Sequence, residues 1–137
     1  MKRITLFFFL SCFTALVYGQ TNPATKKAER CKPYATIGGF KGPSIIKVKA
    51  LSTLKTLEVN NECKDGRTYT VMTFVLDISL NKKTKLKFAG TYGNLNDEMR
   101  KAITKCKTGA TIVFSGVKVK SGDGKFQELQ GMTLHVK

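Results

Sequence analysis

The stretch Lys85–Gly109, KLKFAGTYGNLNDEMRKAITKCKTG, decides the fold because the spacing of its apolar residues changes part-way along. As far as Tyr92 the pattern has period two: Lys85 and Lys87 point away from Leu86 and Phe88, as in a strand with one covered face. From Asn94 the period becomes that of a helix, and Leu95, Met99, Ala102, Ile103 and Cys106 fall on one apolar stripe. Asn94 or Asn96 can cap the start, and Asp97 and Glu98 occupy the first turn, where the helix dipole favours acids. Lys105 and Lys107 stand in the last turn, and Gly109 supplies a left-handed stop. This predicts one amphipathic helix over roughly Leu95 to Lys107.

Working outward, the rest reads as strands. Thr68–Leu80, TYTVMTFVLDISL, alternates Met72, Phe74, Leu76, Ile78 and Leu80 on one face with Val71, Thr73, Val75, Asp77 and Ser79 on the other. Asn81-Lys82-Lys83 makes the turn into the next strand. Beyond the helix, Thr111–Lys120 is a strand, Ser121-Gly122-Asp123-Gly124 a tight connection, and Lys125–Lys137 a return arm bent at Gly131. In that hairpin Val117 and Val119 are expected to face the core, with Lys118 and Lys120 outward. Earlier in the chain, Ser44–Leu51 is the first clear strand and Thr56–Asn60 a second, short one. Tyr34–Pro43, with three glycines, reads as irregular or as a weak edge segment. The expectation is a mostly β, α+β domain: β-sandwich-like, with one helix packed on it and a C-terminal hairpin.

The chain opens as an export signal does. Lys2 and Arg3 precede the apolar run Ile4–Val17, and Val17-Tyr18-Gly19 suits a signal peptidase. Leu10-Ser11-Cys12 partly imitates a lipidation box, but Phe9 is a poor lead residue and the apolar run continues past the cysteine. The division is therefore 1–19 signal peptide, 20–33 flexible lead-in and 34–137 a β-rich domain, with no transmembrane helix in the mature chain. The 137 residues carry 24 basic and 9 acidic side chains, net +15 at pH 7; loss of Lys2 and Arg3 with the leader lowers this by two, to +13. Such an excess favours an anionic partner, and lysines on strands also discourage edge-to-edge pairing. Export exposes Cys31, Cys63 and Cys106 to an oxidising compartment. Their odd number leaves the pairing open. Cys106 falls on the helix's apolar stripe, while Cys31 and Cys63 sit in polar surroundings, so the preferred bridge is Cys31–Cys63.

No constellation in the sequence calls for catalysis, a metal or a cofactor. Asp77 stands mid-strand on the solvent side, and His135, the one histidine, lies on the polar face of the last strand without a nucleophile motif beside it. Gly38-Gly39 has no following Gly-Lys-Ser, and Ser115-Gly116 lacks the nucleophile-elbow pattern. The lysines alternate with core-type Val, Ile and Phe, not with exposed stacking rings. Arginine, which base readout favours, is scarce, so specific nucleic-acid binding is not expected. What remains is a binding or assembly module.

The segment from Ser44 to Lys137 resembles the C-terminal periplasmic domain of GldM-type proteins, also called PorM. The resemblance is carried by Gly93, Leu95, Glu98 and Met99 opening the helix, and by Lys107 and Gly109 closing it. Phe114, Val117, Lys118, Val119, Lys120, Asp123 and Gly124 follow in the hairpin, then Met132, Thr133, Leu134, Val136 and Lys137. Family members are long, with an N-terminal membrane helix joined to an inner-membrane motor, whereas this chain is expected to carry a cleavable leader and the last domain alone. The resemblance implies a role beside the gliding motility and type IX secretion apparatus, where the terminal domain reaches a periplasmic ring built by an outer-membrane lipoprotein and its partner. The expectation is an exported, non-catalytic module, periplasmic or extracellular, with outer-membrane association, binding an envelope protein of that machinery through Lys85, Lys87, Lys118 and Lys120. The alternative is a cationic binder of an anionic envelope polymer such as lipopolysaccharide.

Overall fold

The computed structural model describes residues 31–63 and 65–137; the expected signal peptide, Cys12 and most of the lead-in lie outside them. The described elements are β1 (Tyr34–Ile37), β2 (Ser44–Ile46), β3 (Leu57–Asn60), β4 (Tyr69–Ser79), β5 (Lys85–Thr91), α1 (Asp97–Thr104), β6 (Thr111–Ser121), β7 (Phe126–Leu129) and β8 (Met132–Val136). The described residues are β-rich with one α-helix, the α+β class expected from the period change at Asn94.

The main sheet runs β2-β8-β6-β4-β5. β4 pairs along one edge of β6, from Tyr69↔Ser121 to Ser79↔Thr111, so β8 and β7 share the other edge end to end. The return arm is thus one hairpin partner broken at Gln130-Gly131, where the bend was expected. β2 joins β8 in parallel, and the remaining pairs of this sheet are antiparallel. β1 and β3 form a second, two-stranded sheet that contributes Ala35, Ile37 and Leu57 to the same core.

Two bulges in the β4–β6 ladder change which side chains are buried. Opposite Val119–Lys118, β4 inserts one extra residue at Met72; opposite Thr73–Val75, β6 inserts one at Gly116-Val117. The bulges cancel, and the register at the two ends of the ladder is the same. Gly116 takes φ +55 to make the second bulge, a backbone state that costs glycine little. Each bulge flips the alternation. On β6 the buried set passes from Ile112 and Phe114 to Val117 and Val119, and on β4 from Ile78, Leu76 and Phe74 to Val71. Val71, expected on the solvent side, is therefore a core residue, and Met72, expected beside Phe74, is half-buried.

Two further expectations are corrected, and for Tyr34–Pro43 the edge-segment alternative is the one found. The strand expected over Ser44–Leu51 stops at Ile46, and Val48–Thr53 winds into a 3-10 turn. Its three-residue repeat stacks Leu51 and Leu54, both 2% exposed, whereas a strand would have left Leu51 on the lysine side. Tyr34–Ile37 is a true strand, closed by reciprocal bonds between Ile37 and Phe40 of 2.9 and 3.0 Å. α1 ends at Thr104, earlier than Lys107, and Gly109 sits in the following turn, where the Ala110 amide donates to Lys107. The apolar stripe is as expected: Leu95, Met99, Ala102, Ile103 and Cys106 are all buried, against the 3-10 turn and β4. At the centre Phe74 and Phe114 meet at 6.0 Å between ring centroids. Burying each such ring contributes about 1.5–3 kcal/mol.

Candidate functional site

The helix, the 3-10 turn and the sheet of β1 and β3 all lie on the inner side of the main sheet, which leaves its outer side uncovered by any described element. Side chains opposite one another across a ladder point to the same face, so the registers give this outer face row by row. The first row is Lys85, Ser79, Thr111, His135 and Ile45, spanning β5, β4, β6, β8 and β2. The second is Lys87, Asp77, Val113 and Thr133, and the third Ala89, Val75 and Ser115. Past the bulges come Thr91, Thr73, Lys118 and Glu128, then Thr70, Lys120 and Phe126. All are exposed or half-buried. The result is a surface with valines and hydroxyls in its middle rows and lysines on the edge strand β5 and towards the end of β6.

The structure puts the four lysines singled out from the sequence on this one face, but as two separate pairs, one on the edge strand β5 and one towards the end of β6, between β4 and β7. Lys85 and Lys87 stand on the edge strand, two residues apart, as do Lys118 and Lys120 on β6. Four residues of strand and two ladder steps separate the pairs, about 16 Å by strand geometry. One acid accompanies each pair: Asp77 opposite Lys87, and Glu128 opposite Lys118. Neither makes an ion pair. The ion pairs among the described residues are Arg67–Asp65, Arg100–Asp97 and Lys125–Asp123. Among the described residues the four ammonium groups therefore have no carboxylate partner.

Sequence reasoning missed Phe126. It is 68% exposed, and the Lys120 ammonium lies 5.8 Å from its ring centroid, within cation–π range. The absence of exposed rings among the lysines, expected from the alternation, is thus corrected at this position. The available signal was the pairing of a residue just after the turn with Lys120. A basin of about 450 Å³ also opens at the Lys85 corner, lined by Ser79, Asn81, Lys82, Lys85, Thr108 and Thr111.

The remaining candidates are dispersed. Asp77 and His135 share the outer face, but in different rows and two ladder steps apart, about 12 Å by strand geometry. That is beyond hydrogen-bond reach of each other. Among the described residues no group of three His, Cys, Asp or Glu could hold a metal ion, and no helix is long and apolar enough to cross a membrane. Cys31 and Cys63 form a disulfide that ties the start of the domain to the loop after β3, and burial pushes the Cys106 thiol up from its ordinary range. At the hairpin tip the Ser121 hydroxyl donates to Asp123 and holds that carboxyl below the usual range, helped by the Lys125 amide and ammonium.

The geometry defines a two-layer β-rich domain that presents one broad sheet face carrying two separate lysine pairs. No protein-family model matches the chain, and no curated protein matches it.

Proposed function

We propose that this chain is an exported, non-catalytic assembly module of the gliding motility and type IX secretion apparatus, binding an envelope protein through the outer face of its main sheet. The observation that carries the reading is that face: valines and hydroxyls in the middle, with two pairs of lysines, on β5 and towards the end of β6, that have no carboxylate partner among the described residues. A centre that can be desolvated and a cationic margin suit a protein surface with an acidic rim, where the margin governs encounter and orientation. The motif resemblance to GldM-type domains supports the choice of machinery, and two of its residues, Lys118 and Lys120, stand on the face while Val117 and Val119 between them face the core. The leader-like N-terminus supports export to the periplasm or beyond, and a Cys31–Cys63 bridge is at home in an oxidising compartment.

A second reading, capture of an anionic envelope polymer such as lipopolysaccharide, is favoured by the positive charge, +15 for the full sequence and +13 without Lys2 and Arg3, and by the lysine- and hydroxyl-lined basin beside Lys85. Ionic strength separates the two. Polyanion binding decays steeply and smoothly with salt, whereas a desolvated protein interface persists. The test is capture from a periplasmic extract at moderate salt with identification by mass spectrometry. A component of the secretion or gliding machinery that stays bound is the expected result. Retention of polymer alone, lost as salt rises, would establish the second reading instead.

A further inference from the structure

Strand β5 ends the main sheet, and among the described residues nothing pairs with its second edge. The hydrogen bonds that close the β4–β5 ladder fix which backbone groups face that edge. The Leu80 amide donates to Thr84 and the Tyr92 amide to Met72, at 3.0 and 3.1 Å. Antiparallel pairs alternate, so Leu86, Phe88 and Gly90 direct their amides and carbonyls at β4. Lys85, Lys87 and Ala89 direct theirs away from the sheet. The Thr91 carbonyl is occupied in the turn to Asn94, which closes this open row at its far end. On the inner face of the same strand Leu86 and Phe88 are half-buried against the core, leaving apolar flank uncovered at the edge.

We propose that the free edge of β5 is a strand-addition site for an extended partner segment in which acidic and apolar residues alternate. This rests on the interaction-module reading above and narrows it to one edge. An added strand would satisfy the outward backbone groups of Lys85, Lys87 and Ala89. Its acidic side chains would stand beside Lys85 and Lys87 on the outer face, and its apolar ones would cover Leu86 and Phe88 on the inner. Charge selects the occupant. A second copy of β5 would gather four lysines on one face of the joined ribbon, between two molecules that each carry +13 once Lys2 and Arg3 leave the +15 of the full sequence. An acidic strand turns the same lysines from a barrier into a recognition element.

The probe is a fluorescent nonapeptide of alternating glutamate and valine, titrated into the mature chain at low and moderate salt. Saturable binding is expected, with the Lys87 and Ala89 amides becoming protected from hydrogen exchange. N-methylation of alternate peptide residues, which removes the donors on one edge of the probe, should weaken binding at least tenfold. Ala89→Pro should do the same, because it deletes an amide that points outward and none that bonds β4. The methylated probe makes the test independent of how well that variant folds. Equal binding of methylated and unmethylated probes overturns the proposal, as does no saturable binding up to millimolar peptide. A dimer dispersed by Ala89→Pro would assign the edge to a second copy and overturn it too. Capture of an envelope protein that survives Ala89→Pro removes the edge but leaves the module reading intact; no capture by the unaltered chain removes that reading itself.

Discussion

Gly93 shows how one residue can be marked in a sequence for a reason the sequence does not contain. It follows Tyr92 in the turn out of β5, and both have positive φ, +53 and +72. A Cβ at Gly93 would sit 2.2 Å from the carbonyl oxygen of Leu57, whose amide donates to the Gly93 carbonyl at 2.8 Å. Alanine there must strain the turn and also push β3 off the end of β5. The Gly93→Ala variant is expected to lose about 2–3 kcal/mol of stability, read as a lower urea midpoint at unchanged slope. A loss within a few tenths would mean that β3 can move aside freely. The motif made Gly93 legible as a residue of interest, but its partner lies far away in the chain, and only the folded contact explains it.

At the level of elements, legibility followed local rules and failed where tertiary contacts override them. The helix was readable because its cap and stripe are local. The Asn96 side chain accepts from the Met99 amide at 2.8 Å, so Asn96→Ala should cost about 1 kcal/mol in thermal or urea unfolding and Asn96→Ser almost nothing. The hairpin tip was readable for the same reason, and it carries a pH dependence. Because the folded pKa of Asp123 is lowered, chiefly by the Ser121 hydroxyl, its contribution is present above the ordinary carboxylate pKa and fades as pH falls through the folded value. An NMR titration below pH 5 should show the tip loosening, and Ser121→Ala should move the Asp123 titration upward. By contrast, IIKVKAL alternates like a strand yet turns into a 3-10 segment after Ile46, because Leu51 and Leu54 gain more burial stacked than alternated. The bulges at Met72 and Gly116 were equally hidden. Each is defined by its partner strand, so neither β4 nor β6 alone reveals that Val71 and not Met72 enters the core.

For the whole molecule, the alternation identified which lysines point outward but not how far apart they stand, since that distance depends on strand order. β4 separates β5 from β6, which places the nearest members of the two pairs, Lys87 and Lys118, about 16 Å apart. The Debye length at physiological salt is about 8 Å, so the two pairs should act on an approaching partner almost independently. Lys101 and Lys105 on the helix layer, behind the sheet, provide the control. If the outer face docks an acidic-rimmed protein, Lys118→Gln with Lys120→Gln should slow association about three- to tenfold at low salt and flatten its salt dependence. Lys85→Gln with Lys87→Gln should do likewise, the effects multiplying when combined, while Lys101→Gln with Lys105→Gln changes little. Stopped-flow or surface-binding kinetics with the captured partner measure all four variants. If instead overall positive charge attracts a polymer, every double variant loses the same amount wherever its lysines stand. Equal losses from the helix pair and the β6 pair would therefore sink the docking-face reading, because a face exists only if position matters more than charge count.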